Sequence, residues 1–327
     1  MITRRHTLAS LLGVAALSAL GRVGSAQEAK FPSRPIRLIV PYPAGSSGDI
    51  VARLLGQRLN ERLGEAVVID NRPGGAGIAA TRAVATAPPD GYTLLLTGLN
   101  HVTNVGLFAA LPFDTEHDFA AVSLVGSVDL VLVAHPSTGF ARARDLIEAA
   151  KKRPGTINFA SAGNGTGGHL AMELFARTAG ISLVHVPYRG ATPALSDVLA
   201  GHVQVLFTGV PPTLNFVRGG KLNALAVAGT ERTAMLPDVP TAQEIGMAGF
   251  DVNVWFGVLG PATLPGPLVE TLAQQIGEIV REPEFRARLH DQGITPFGST
   301  PAEFAEIVHR DLERWPKFIR ELGIKVE

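Results

Sequence analysis

Cysteine is absent from all 327 residues. That excludes a disulfide framework, a zinc-thiolate site, an iron-sulfur cluster and a thiol nucleophile, and it is compatible with either redox compartment. Net charge is absent too, since 29 Lys plus Arg balance 29 Asp plus Glu. Arg4, Arg5 and Arg22 lie in an expected leader, and without them 26 basic residues face 29 acidic ones. A slightly acidic chain of this kind is not a general nucleic-acid binder. After the leader no segment reaches about 18 apolar residues without Gly, Pro or charge, so the mature chain is expected to be soluble. No serine sits in G-x-S-x-G, and Gly45-Ser46-Ser47-Gly48 has the wrong spacing for a nucleophile elbow. The nine histidines show neither H-E-x-x-H nor paired metal spacing, so no metal is expected. His101 and His185 read as isolated, and His169 reads as a rim or capping residue rather than a base. No acid and base stand close enough in sequence to be paired, and nothing positive points to catalysis.

What is present begins with export. Arg4 and Arg5 precede an uncharged apolar run from Leu8 to Leu20, and Gly24-Ser25-Ala26 supplies the small residues of a cleavage site. A signal peptide over residues 1–26, cleaved after Ala26, places the mature protein in the periplasm. The segment around Arg4-Arg5 resembles a twin-arginine signal, although Thr7 stands where a large apolar residue is usual, and the ordinary secretory route remains open. The remaining 301 residues match about two domains. Hydrophobic residues make up 46% of the chain, enough for a sizeable core, and 36 Gly with 23 Pro indicate many loops.

Along the mature chain strands and helices alternate. Ile36 to Pro41 reads as a strand, followed by a Gly/Ser turn and a helical stripe of Ile50, Leu54, Leu55 and Leu59. Ala66 to Ile69 and Tyr92 to Leu96 read as further strands around a helix from Ile78 to Ala87. A second series has helices at Ala143 to Lys151, Gly167 to Arg177 and Thr192 to Leu199, with strands at Thr156 to Ala160, Leu183 to Val186 and Val203 to Phe207. Such alternation predicts parallel sheets covered by helices. The stretches Val122 to His135 and Phe250 to Leu259 read as two crossings between the series. They divide the chain into a discontinuous domain, 27–128 plus 251–327, and a continuous one, 129–250, with a cleft between two hinged lobes. Thr300-Pro301-Ala302-Glu303 matches a capping box opening a last helix. Its buried stripe is Phe304, Ile307, Val308, Leu312 and Trp315.

Three Gly-rich loops each follow a strand and open a helix: residues 44–48, 74–77 and 161–168. At such a junction unpaired amides and the helix dipole favour an anion, and glycine admits it close to the backbone. Hydroxyls of Ser46, Ser47, Ser161 and Thr166 are expected to add donors; the competing reading of each loop is a tight turn with a cap. Gly163-x-Gly165-x-x-Gly168 also has the local form of a dinucleotide fingerprint. The acid wanted about 20 residues later is replaced by His185-Val186-Pro187-Tyr188-Arg189, where Arg189 suits a 2′-phosphate. An exported NADP-dependent oxidoreductase is therefore the alternative.

Pro41-Tyr42-Pro43-Ala44-Gly45-Ser46-Ser47-Gly48-Asp49-Ile50-Val51-Ala52-Arg53 resembles the P-[FY]-x-x-G-G-x-x-D-x-x-A-R opening of the Bug receptors, the extracytoplasmic solute-binding proteins of tripartite tricarboxylate transporters. Asn71-Arg72-Pro73-Gly74, Pro89-Asp90-Gly91-Tyr92, Val186-Pro187-Tyr188-Arg189-Gly190, Leu236-Pro237-Asp238-Val239-Pro240-Thr241 and Trp255-Phe256-Gly257 are similar to family segments in family order. Ser46 departs from the second glycine of the first motif, and Ile78 and Ala80 stand where Asn and Gly are common.

The resemblance implies a two-lobed α/β fold of the type II periplasmic-binding-protein kind, no bound cofactor, and a small carboxylated ligand (an amino acid, a di- or tricarboxylate or an aromatic acid). It also implies delivery to membrane transporter subunits or a sensor, by a monomer that does not act as an enzyme. On this reading Ala44, Gly45, Ser46 and Ser47 contact the carboxylate from one lobe, and Ser161, Ala162, Gly163, Asn164 and Thr166 from the other. Tyr42, Thr97, Asn100, Tyr188, Thr208 and Phe256 are candidate walls. Asp49 has two readings, a helix cap or a partner for a ligand ammonium.

Overall fold

A computed structural model describes residues 31–324, and the expected leader lies outside them. In chain order come β1 (Ile36–Val40), α1 (Ser47–Leu63), β2 (Val67–Asn71), α2 (Ile78–Ala85), β3 (Thr93–Gly98), α3 (Asn100–Leu107) and β4 (Phe119–Val128). Then follow β5 (Leu130–Ala134), α4 (Ala143–Lys152), β6 (Asn158–Ser161), α5 (Gly167–Ala179), β7 (Val184–Pro187), α6 (Ala191–Leu199), β8 (Val205–Gly209), α7 (Val210–Arg218) and β9 (Asn223–Val227). The last elements are β10 (Val254–Pro261), α8 (Gly266–Arg281), α9 (Pro283–Asp291), β11 (Ile294–Pro296) and α10 (Pro301–Glu321). Among the described residues no helix is long and apolar enough to cross a membrane.

The strands form two sheets, ordered β11-β4-β10-β3-β1-β2 and β7-β6-β8-β5-β9. β1 pairs in parallel with β2 and β3, and β6 with β7 and β8; β4, β5 and β10 supply the antiparallel pairings. β3 and β5 are buried along their whole length. That is why they read as unbroken apolar runs rather than as alternating ones.

The chain passes between the sheets twice, once after Val128 and once between Val227 and Val254. Val128 and Val254 are paired, so the crossings run side by side. The first crossing was expected as one extended stretch, but it breaks at Asp129. The Asp129 amide donates to Gly293 O at 3.3 Å, its carbonyl accepts from Val210 N at 3.1 Å, and its carboxylate accepts from Thr295 Oγ1 at 2.9 and 3.1 Å.

Local chemistry sets the helix ends. α1 is capped by Ser46, whose Oγ accepts from Asp49 N at 3.3 Å, and it ends at Gly64 with φ +76°. α10 carries the expected reciprocal box between Thr300 and Glu303. Its buried face includes an unexpected acid, Asp311, which accepts the indole N–H of fully buried Trp255 at 2.9 Å. Burial pushes the Asp311 carboxyl above its usual range, against the lowering pull of the Trp255 and Arg310 hydrogen bonds.

Candidate functional site

β1 and β3 run in parallel, so the loop after Val40 and the turn at Gly98 emerge at the same end of the first sheet, where open α/β sheets hold ligands. There the expected wall residues meet. Tyr42 donates its phenolic hydrogen to Asn100 Oδ1 and meets the Phe256 ring edge-on, with centroids 5.7 Å apart. Thr97 is fully buried beside the phenol. The phenol is raised well above its ordinary pKa, first by burial, with the contacts to Thr97 and Gly98 pulling the other way. Two glycines make room for this ring: a Cβ on Gly48 would stand 2.2 Å from Tyr42 Cδ2, and one on Gly98 would stand 2.8 Å from its hydroxyl oxygen.

The adjoining loop is held by Asp49. Its carboxylate accepts from Gly45 N at 2.8 Å, Arg53 Nε at 2.9 Å and Asn71 Nδ2 at 2.8 Å, and Asn71 Nδ2 also reaches Tyr42 O at 3.1 Å. Burial alone would raise the carboxyl; the bonds from Arg53, Gly45 and Asn71 outweigh it and hold Asp49 below the usual carboxylate range. Asn71 was expected only as part of a family segment, and its spacing from Asp49 in sequence gives no sign that the two touch. Three own-lobe donors thus occupy the acid that was one candidate for a ligand ammonium.

Three of the four candidate hydroxyls bond within their own lobes. Ser46 Oγ donates to Pro43 O at 2.7 Å while capping α1, and Thr166 Oγ1 donates to Gly163 O at 2.8 Å. Ser161, fully buried, has its Oγ 3.1 Å from Gly163 N, 3.2 Å from Gly163 O and 2.6 Å from His185 Nε2. These groups brace their own loops because Ser and Thr reach nearby backbone more readily than a distant ligand. Gly45 and Gly163 likewise spend their amides within the protein. Among the described residues the amides of Ala44, Ser47, Gly48, Ala162, Gly167 and Gly168 find no protein acceptor. Four of them are first-turn donors of α1 and α5, as helix geometry requires. Thr166→Val is therefore expected to lower stability by about 1 kcal/mol through loss of the Gly163 bond. Denaturant titration checks this, and unchanged stability would show that the bond carries no net energy.

Tyr188 N donates to Ser161 O at 3.0 Å, which ties this residue to the second loop, residues 161–168 of the second lobe, but its hydroxyl donates to Asp197 Oδ2 at 2.5 Å. Thr208 lies at the end of β8, opposite Val131 of β5. The second loop also meets the first lobe. A Cβ on Gly165 would lie 2.4 Å from Leu107 Cδ1, and one on Gly167 would lie 2.5 Å from Val254 Cγ2. Leu107 and Val254 were not foreseen, because apolar residues carry no chemical signal in a sequence. His185 is not isolated as expected: its ring stacks on that of His169 at 3.9 Å with 10° between planes, and His169 is buried rather than at a rim. A cavity of about 790 Å³ lies beside the crossings, lined by residues such as Asp129, Arg218, Glu231, Asn253 and His290, and it touches neither loop. Among the described residues no group of three or more His, Asp or Glu is placed to hold a metal.

Residues 51–324 match the profile of the tripartite tricarboxylate transporter family receptor. Protein BugT of Bordetella pertussis is 36% identical over 299 residues, 91% of this chain and 92% of that protein. A UPF0065 protein from the tcbD-tcbE intergenic region of Pseudomonas sp. strain P51 is 36% identical over 98% of this chain and 95% of its own length. R. palustris Rpa4515, solved with adipate, superposes with a TM-score of 0.79 at 31% identity, covering 90% of this chain and 100% of that one. The periplasmic binding protein BugD gives 0.75 at 30% identity, over 90% and 100%. MatC from Rhodopseudomonas palustris, with bound malate, gives 0.73 at 30% identity, over 88% and 100%. The two sheets are accordingly the lobes of a type II periplasmic-binding-protein fold. The oxidoreductase alternative falls: these relatives are solute receptors, not enzymes, and the glycines of the fingerprint serve the turn into α5. This chain belongs to the TctC, or Bug, family of periplasmic solute-binding receptors for tripartite tricarboxylate transporters.

Proposed function

We propose that the mature protein, released from a signal peptide over residues 1–26, captures a small organic carboxylate between its lobes as a monomer. It then presents the closed complex to transporter membrane subunits or to a sensor. The lobes are the domains 27–128 plus 251–327 and 129–250, and Asp129 lies at their first junction. The observation that carries this reading is the pair of helix N-termini, α1 and α5, whose first amides (Ser47 and Gly48; Gly167 and Gly168) have no acceptor within the described protein. Amides in that position attract carboxylate oxygens. Ala44, Ala162 and Asn164 complete the polar contacts, and Tyr42, Asn100, Tyr188 and Phe256 form walls. The adipate and malate held by relatives about 30% identical support a dicarboxylate. Because Asp49 is already occupied by three donors, the ligand needs no amino group.

Calorimetry with adipate, malate, glutamate and adipamide tests the reading. At least one dicarboxylate should bind while adipamide, which keeps the length but not the charge, should not; equal binding of adipamide would overturn it. Solution scattering with the bound dicarboxylate should show a smaller radius of gyration than the ligand-free protein, since ligand favours the state in which both lobes contact it. Superimposable curves at saturation would rule out lobe closure.

A further inference from the structure

The second loop is gripped from beneath by two imidazoles that the binding reading leaves unused. His169, 3% exposed on the first turn of α5, accepts the Gly165 amide at Nδ1, 3.0 Å away. An N–H donates there, so Nδ1 carries no proton. The ring hydrogen belongs on Nε2, which faces Glu173 Oε1 at 3.5 Å. His185 on β7 lies flat on His169, and Phe159 of β6 stacks against both rings, its centroid 4.7 Å from His185 and 6.0 Å from His169. Parallel pairing sets Phe159 beside His185 and so places the ring under the loop. His185 Nε2 meets Ser161 Oγ at 2.6 Å, and that oxygen takes the Gly163 amide at 3.1 Å. One imidazole thus holds Gly165 directly, and the other holds Gly163 through Ser161. Gly163 and Gly165 have positive φ, +130° and +73°, a backbone course that glycine adopts freely and that the two bonds fix.

We propose that His169 and His185 are positioning residues that lock the Ser161–Thr166 loop only while both rings are neutral, so that proton uptake releases the loop. This rests on the reading that the loop takes the ligand carboxylate. A proton on His169 Nδ1 would set N–H against N–H and abolish the bond to Gly165. A proton on each ring would set two cations face to face at 3.9 Å. Besides the partner ring, the charged group facing the pair is Glu173, on the same helix as His169; Phe159 faces His185 without charge.

Burial, and then the neighbouring His169, push His185 down to about 4 from the ordinary 6.5. A histidine held low in the ordered loop contributes order that is fully present above 6.5 and is lost as pH falls toward about 4. Proton uptake by the pair therefore weakens ligand binding as pH falls.

The test compares wild type with His169→Asn/His185→Gln, whose amides keep an acceptor for Gly165 and a partner for Ser161 but do not titrate. NMR of the ligand-free proteins from pH 7.5 to 4.5 follows the Gly163 and Gly165 amides. Both should shift in wild type as the pH falls, and neither should shift in the variant. Equal behaviour in the two proteins, or unmoved amides in wild type, overturns the lock. Calorimetry with adipate or malate over pH 7 to 5 should show the wild type losing more affinity than the variant, and an equal loss overturns the lock; protonation of the ligand itself cancels in that comparison. Titrating amides without dicarboxylate binding at pH 7.5 would sink the carboxylate reading and leave the lock standing. Should the double variant unfold, His185→Gln alone replaces it, and its Gly163 amide should stay still.

Discussion

Gly168→Ala is expected to abolish dicarboxylate binding and to lower stability by about 1–3 kcal/mol, the usual toll of one extra methyl in a packed site. The added Cβ would stand 2.3 Å from the carbonyl oxygen of Phe207 in β8, and a backbone atom inside a sheet cannot step aside as a side chain can. The N-terminus of α5 must lift instead, carrying the Gly167 and Gly168 amides away from the proposed ligand position. Gly266→Ala is the control: that glycine opens α8, has ordinary φ, and meets nothing within 4 Å, so stability should stay within about 0.5 kcal/mol of wild type. Thermal unfolding and calorimetry of both variants decide the matter. Wild-type affinity in Gly168→Ala would mean that the end of α5 takes no part in binding.

Asp49→Ala should have an effect of similar size from the other lobe, about 2–4 kcal/mol of stability, because it leaves the Gly45 amide without its acceptor and removes the bonds from Arg53 and Asn71, of which Asn71 keeps only Tyr42 O. Affinity should fall at least tenfold, and by the same factor for glutamate and for its deaminated analogue glutarate. A loss confined to glutamate would restore the ammonium-binding role. The pH dependence has a definite sign. Asp49 is held below its ordinary value of 3.8 in the folded protein, so its contribution is complete above that value and is lost as pH falls through the lower, folded one. Stability measured against pH should therefore drop more steeply below about pH 4 in wild type than in Asp49→Asn.

Much of the fold was legible because its signals are local. β3 and β5 announced themselves as apolar runs, α10 through its capping box, and α1 through Ser46 and Asp49 at its start. α3, with Asn100, His101, Thr103 and Asn104 interleaved among apolar residues, shows no clean stripe and went unseen. α7, also not foreseen, opens with Pro211 and Pro212, which the first helical turn tolerates. β11 has three residues, too few for any period.

The candidate site divides along the same line. Sequence alone marked three Gly-rich strand-to-helix loops, among them those that open α1 and α5, and the family they belong to, because turn chemistry and motif order are written in neighbouring residues. Tertiary structure decided which donors remain for a ligand. It gave the Ser46, Ser161 and Thr166 hydroxyls to their own loops, closed Asp49 with Asn71 from β2, brought Tyr42 to Asn100 and Phe256, and stacked His169 on His185. Each of these pairings joins residues through the register of a strand or the seating of a helix end on a sheet. Hydrogen-bond partners are chosen by distances of about 3 Å in space, and only the packed fold sets those distances.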